Sequence, residues 1–338
     1  MKRAIALAVA GVLGCILLDL WRGEVMPSYL AVWLFWMALP LGALPPVAAA
    51  ELIGIPDGPL LSVLRRMLLL LPLGAILSVP LMLRADLLYH RVAMPKALAA
   101  WMATPSLVVR MAVMLVVWSG LALLLARRPR DQPRRKLAGL VLVLHPVMAS
   151  IAALDWVMSL APGLGSSAFG LLSIAGQIVT AACAGLFVLA LRSGGRRLPT
   201  PPGLLLACLL GGWAFLHFAQ YLVVWSANLP SEIVWYQQRS SGLGGPFIWA
   251  AAAAALLGLV LLPSRLSRVP VLAASVAAML LLGHLLETLW FVTPPFRGDF
   301  SLWGADVVAL VGLGGLSLAL LSVAFGSVSS VQARHDAG

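Results

Sequence analysis

Charge is scarce in this sequence. Of 338 residues only 10% are charged, and the acidic ones number 12. A soluble globular protein carries roughly 25% charged residues, so this chain cannot cover a water-soluble body of its size. Cysteine is also rare. Cys15, Cys183 and Cys208 all lie inside apolar runs, with no CxxC, CxxCH or Cys/His cluster. That spacing disfavours iron–sulfur ligation, c-type haem attachment and structural zinc. Period-two alternation is missing too, which sets aside an outer-membrane barrel. What abounds is apolar: 62% of residues are hydrophobic, and the mean hydropathy is +1.00. The formal charge of +11 would suggest a nucleic-acid partner in a soluble protein. Here the bases sit between apolar runs, a placement that orients a membrane protein, and no nucleic acid is expected.

A helix that crosses a bilayer needs about 20 mainly apolar residues. Ten runs qualify: Ala4–Leu20, Tyr29–Ala50, Met67–Leu83, Ser106–Ala126, Leu137–Leu160, Ala168–Leu191, Gly203–Ser226, Pro246–Leu262, Val271–Val292 and Trp303–Phe325. The sequence thus predicts an all-α, polytopic helical bundle forming one integral membrane domain over residues 1–338. The first run follows Lys2 and Arg3 as a signal peptide would, and Val12-Leu13-Gly14-Cys15 loosely resembles a lipoprotein cleavage box. It continues apolar past Cys15, so a retained helix is expected. With the N-terminus inside, one inner loop carries Arg127, Arg128, Arg130, Arg134, Arg135 and Lys136. All the outer segments together hold Arg22, Arg84, Arg91, Lys96, Arg239 and Arg297. This bias predicts a multi-pass protein of the bacterial inner membrane with both termini cytoplasmic. The segment Arg84–Pro105 mixes apolar and basic residues and is expected to lie along the interface.

Ionisable groups are costly inside a bilayer, so they mark candidate sites. Arg110 lies near the outer start of its span, roughly 6 Å deep at the helical rise. Asp155, Glu287 and Asp306 fall at a similar outer level on other spans. They predict a proton-handling or quinol-contacting group in which Arg110 keeps one carboxylate ionised and another titrates. The alternative is a set of structural ion pairs. His217 and His284 lie at matched depth, roughly 20 Å from the inner side. That depth would suit a bis-histidine b-type haem, a weaker expectation than hydrogen-bonded imidazoles. His284 and Glu287 are three apart and share a helix face, as do His217, Gln220 and Tyr221. The alanine run Ala250–Ala255 is expected to pack helices closely. Pro146, following His145, predicts a local break that neighbouring helices can absorb.

Several stretches, in order, resemble one family. Asp155-Trp156-Val157-Met158-Ser159-Leu160-Ala161-Pro162, continuing through Ser166-Ser167-Ala168-Phe169-Gly170, is similar to a stretch of the ActF-type (NrfD-like) membrane subunit of alternative complex III. Phe218-Ala219-Gln220-Tyr221 through Trp225, with Asn228-Leu229-Pro230, Glu232 and Trp235-Tyr236, resembles a second motif of that family. Glu287-Thr288-Leu289-Trp290-Phe291-Val292, Pro294, Trp303 and Asp306 resemble its closing helix pair. The likeness runs from about Trp33 to Leu320. It departs at Gly163-Leu164-Gly165, where the family carries an aromatic-rich stretch.

The resemblance implies a helical subunit of a quinol-oxidising respiratory complex that binds no redox metal itself. It implies partners that carry them: a multihaem cytochrome, an iron–sulfur protein and a second NrfD-like quinol-binding subunit. It also nominates Asp155, Gln220, Tyr221, Glu287 and Asp306 for proton conduction, with quinol or quinone as the ligand. Two competing readings stand beside it: a secondary transporter, and a structural membrane anchor without activity of its own.

Overall fold

The computed structural model describes residues 25–89, 100–127, 134–161, 165–198 and 203–318. The span expected at Ala4–Leu20 lies outside them, as do the end of Trp303–Phe325 and much of Arg84–Pro105. Regular structure among the described residues is helical, apart from one isolated bridge between Gly242 and Phe300. The helices are α1 (Met26–Ile53), α2 (Pro59–Leu83), α3 (Ala85–Tyr89), α4 (Thr104–Ala126), α5 (Arg135–Trp156), α6 (Phe169–Arg192), α7 (Gly203–Ala227), α8 (Pro230–Ser240), α9 (Gly244–Leu261), α10 (Pro270–Val292) and α11 (Gly304–Leu318). Eight of them, all but α3, α8 and α11, have the length and apolar composition to cross a membrane. The chain is therefore an all-α bundle suited to a bilayer, where backbone polar groups must be satisfied within the chain. Where the described residues cover them, the expected spans fall within a few residues of these helices with one exception. Helix α2 begins at Pro59, not Met67, because Arg65 and Arg66 belong to the helix and not to a loop.

Helix α1 is the centre of the bundle and packs on α2, α5, α6 and α10. Its residues are apolar on every side because neighbours surround it, leaving no polar stripe to face water. Pro40, Pro45 and Pro46 sit inside it. Each removes a backbone donor, a loss that a helix enclosed by others tolerates. Gly42 is required by the crossing with α6. A Cβ there would stand 1.9 Å from the Gln177 carbonyl oxygen.

Helix α2 is interrupted by a 3-10 turn at Leu68–Leu70 and again at Ser78. The Ser78 N–H bonds to Ala75 O, one residue short of the α-helical partner, and so frees the Gly74 carbonyl. Trp33 of α1 donates its indole N–H to that carbonyl at 2.8 Å, and Tyr29 donates its hydroxyl to Leu77 O at 2.8 Å. The break in α2 is thus satisfied from α1.

At the other end of α1, Arg65 of α2 joins three helices and the loop between α1 and α2. It donates to Asp57 Oδ2 at 2.6 Å, to Asp57 Oδ1 at 2.8 Å, to Glu51 Oε2 at 3.2 Å and to Leu125 O at 2.9 Å. Glu51 Oε1 accepts the Arg134 backbone N–H at 3.0 Å. These contacts engage all three nitrogens of a buried guanidinium, which favours a buried ion pair that does not destabilise.

Candidate functional site

The three acids singled out by depth have different partners. Asp155, 1% exposed, ends α5 and takes a fork from Arg110 of α4, Nε to Oδ2 at 2.7 Å and Nη2 to Oδ1 at 2.9 Å. Arg110 is itself fixed by Trp101 O at 2.6 Å and Ser106 Oγ at 2.8 Å. Asp306 lies in the first turn of α11. It accepts from Arg297 at 2.7 and 3.0 Å and from the Trp303 backbone N–H at 2.7 Å. Arg297 also donates to Ser28 Oγ of α1 at 2.9 Å. Such two-pronged pairs are strong and geometrically specific. They tie α4 to α5, and α11 to α1.

Glu287 differs, because histidines surround it. Its Oε1 lies 2.6 Å from His217 Nε2 and its Oε2 lies 2.8 Å from His284 Nδ1. The Trp213 indole adds a longer bond to Oε1 at 3.3 Å. Local sequence makes this geometry. His284 precedes Glu287 by three on α10, and Trp213 precedes His217 by four on α7, so each pair shares a face. Trp213 stands edge-on to both imidazoles, at 4.7 and 4.9 Å between ring centres. His217 stacks on Phe291 at 6.0 Å. With Glu287 ionised, each imidazole donates the N–H that faces it, and its opposite nitrogen remains a base.

This group forms the polar end of a cavity of about 380 Å³ between α7, α9 and α10, with Tyr236 of α8 beside it. Ala251, Ala252, Ala254 and Ala255 make one wall. The alanine run expected to draw helices together therefore leaves room for a ligand. Phe218, Tyr221 and Ile248 also line the cavity while being exposed on the apolar surface, so its mouth opens toward that surface. Tyr221 and Tyr236 meet edge to face at 5.5 Å. Burial pushes the Tyr236 phenol above its ordinary range, so it is a neutral hydroxyl at pH 7.

Of the residues nominated from sequence, His217, Tyr221, His284 and Glu287 converge on this cavity. Gln220 does not. Its Oε1 accepts the Ser166 hydroxyl and ties α7 to the segment before α6. Arg110, Asp155 and Asp306 belong to the two arginine pairs. Trp213, Tyr236 and Arg297 were missed. The four-residue spacing to His217 could have found Trp213, whereas Arg297 looks in sequence like any outer charge. Arg239 was missed in the same way. Its guanidinium is buried over the Trp235 ring at 3.8 Å and donates to Phe291 O at 2.7 Å, capping the end of α10. His145 is buried beside Trp118, and neither ring nitrogen has a hydrogen-bond partner among the described residues.

The second sequence motif has a backbone explanation. Asn228 takes a left-handed conformation (φ 50°) and ends α7, Leu229 is extended, and Pro230 opens α8. Asparagine tolerates that conformation and proline suits the first helical turn. Comparison of the sequence with protein-family models gives no match, and comparison with curated proteins gives none either.

Proposed function

We propose that this chain is a membrane subunit of a quinol-oxidising respiratory complex, and that His217, Glu287 and His284 exchange protons with a quinol-class ligand in the large cavity. One observation carries the reading: a buried carboxylate within 2.8 Å of two imidazoles, set in the wall of an otherwise apolar cavity. A volume of about 380 Å³ falls in the range of small-molecule sites, and the apolar mouth suits a ligand that arrives through lipid with its tail outside. In this reading a ligand hydroxyl gives its proton to an imidazole nitrogen, Glu287 stabilises the imidazolium, and Tyr236 hydrogen-bonds the second ring oxygen. The electrons pass to a haem or iron–sulfur centre on a partner subunit, so the chain handles protons and ligand while its partners handle redox. The likeness of its motifs to ActF-type subunits supports this assignment, and the basic inner loop supports an inner-membrane protein with cytoplasmic termini.

Isolation in mild detergent tests it. The chain is expected to bring down haem- or cluster-bearing subunits and to bind decylubiquinone. Glu287→Gln is expected to lower quinol-driven turnover by at least tenfold without loss of assembly. A chain that isolates alone, ignores decylubiquinone and moves a solute into proteoliposomes would be a transporter instead.

A further inference from the structure

Glu287 and His284 have a second side. Behind them, between α1, α6 and α10, lies a separate chamber of about 80 Å³ that both residues also line. Its other polar members are Ser173, Gln177 and Thr180 of α6 and Thr288 of α10. The Gln177 Oε1 is buried and has no hydrogen-bond partner among the described residues. The Thr180 hydroxyl donates to Gly176 O at 2.7 Å and that of Thr288 to Leu285 O at 2.8 Å, so what each offers the chamber is a lone pair. The chamber therefore presents a buried acceptor that needs a donor, with further lone pairs beside it. Water is the small donor that fits. One molecule needs roughly 10–15 Å³ of such space and two to four polar partners. An apolar void of the same volume would stay dry.

We propose that this chamber is an internal hydration site through which the Glu287–His284 pair releases its proton. The release half of the proposal rests on the ligand reading of the large cavity; the hydration half does not. The pair faces the ligand on one side and water on the other. A proton gained from the ligand side leaves as an N–H or O–H bond of the pair breaks. A chamber water held by Gln177 and Thr180 becomes hydronium, and the pair returns to its accepting form. The two cavities meet only at these side chains, so the direction of transfer is set by which side holds a donor and which holds water.

X-ray radiolytic footprinting of the full chain in H₂¹⁸O reads the hydration directly, because buried side chains gain label only beside bound water. Phe35 and Phe169 line the chamber and are 8% and 2% exposed. Both are expected to be labelled in the parent. The equally buried Phe300, which borders neither cavity, is the blank. Gln177→Leu is expected to cut the label on both phenylalanines at least threefold. The same variant is expected to hold decylubiquinol affinity within threefold while slowing ligand-driven proton release about tenfold. Parent phenylalanines no more labelled than Phe300, or label unchanged in Gln177→Leu, overturns the hydration site. Label lost with proton release unchanged overturns the release route. If the parent binds no decylubiquinol, the ligand reading and the release route fail together, and the footprint still decides whether the chamber is wet.

Discussion

Gly42→Ala is the sharpest test of the packing described above. The added methyl would lie 1.9 Å from the Gln177 carbonyl oxygen, 2.2 Å from its carbon and 2.8 Å from the Ile178 nitrogen. All three are backbone atoms of α6, so no side chain can swing away, and α1 must separate from α6. Overpacking of this kind costs about 1–3 kcal/mol, and a backbone obstacle puts the cost near 3. Gly139→Ala is the matched control, because a Cβ there meets nothing within 4 Å. Within a helix that change gains up to about 1 kcal/mol. At roughly 2 °C per kcal/mol for a large chain, the two variants should differ by about 8 °C in melting midpoint. Intrinsic fluorescence of the 12 tryptophans in detergent follows the transition. A Gly42→Ala variant that melts at or above the parent would refute the close crossing.

Other outcomes follow from the same contacts. Arg110→Met leaves Asp155, 1% exposed, as an uncompensated buried charge, at a cost of about 3–5 kcal/mol. Adding Asp155→Leu should recover most of it, and a double variant no better than the single would show that the pair is not what Arg110 provides. Ala252→Leu fills the large cavity and should weaken decylubiquinone binding by calorimetry at least tenfold with the melting midpoint kept. Unchanged affinity would move the ligand elsewhere. Trp33→Phe removes the donor to Gly74 O in the α2 break, with an expected loss of about 1–3 kcal/mol in thermal melting. No loss would mean that this carbonyl finds another partner.

How much of this could be read beforehand depends on the range of the interaction. Helix positions follow from runs of apolar residues, and eight of the expected spans coincide with helices of spanning length. Where α2 begins does not, because Arg65 looks like a loop charge until Asp57, Glu51 and Leu125 O surround it. The face shared by His284 and Glu287 is a matter of helical spacing alone. That His217 of α7 reaches the other oxygen of the same carboxylate is not, since it needs the packing of two helices distant in sequence. The common depth of Arg110, Asp155, Glu287 and Asp306 suggested one group and did not say which acid Arg110 holds, or that Arg297 holds another. The structure separates two arginine-locked acids from one flanked by histidines, and the latter lines both cavities described above. The small-residue run on α9 was ambiguous for the same reason. Alanines permit either contact or a cavity, and the neighbours decide.

The position of α1 bears on how the molecule is made. Every other described helix is translated after it, so the segment destined for the middle enters the bilayer before the described helices that enclose it. A stretch with a polar stripe would be stranded in lipid at that moment. One that is greasy on all sides can wait there indefinitely, its proline-opened carbonyls notwithstanding, while later segments arrive and assemble around it. Uniform apolarity, which in the finished protein only reflects enclosure, thus doubles as a holding state during synthesis.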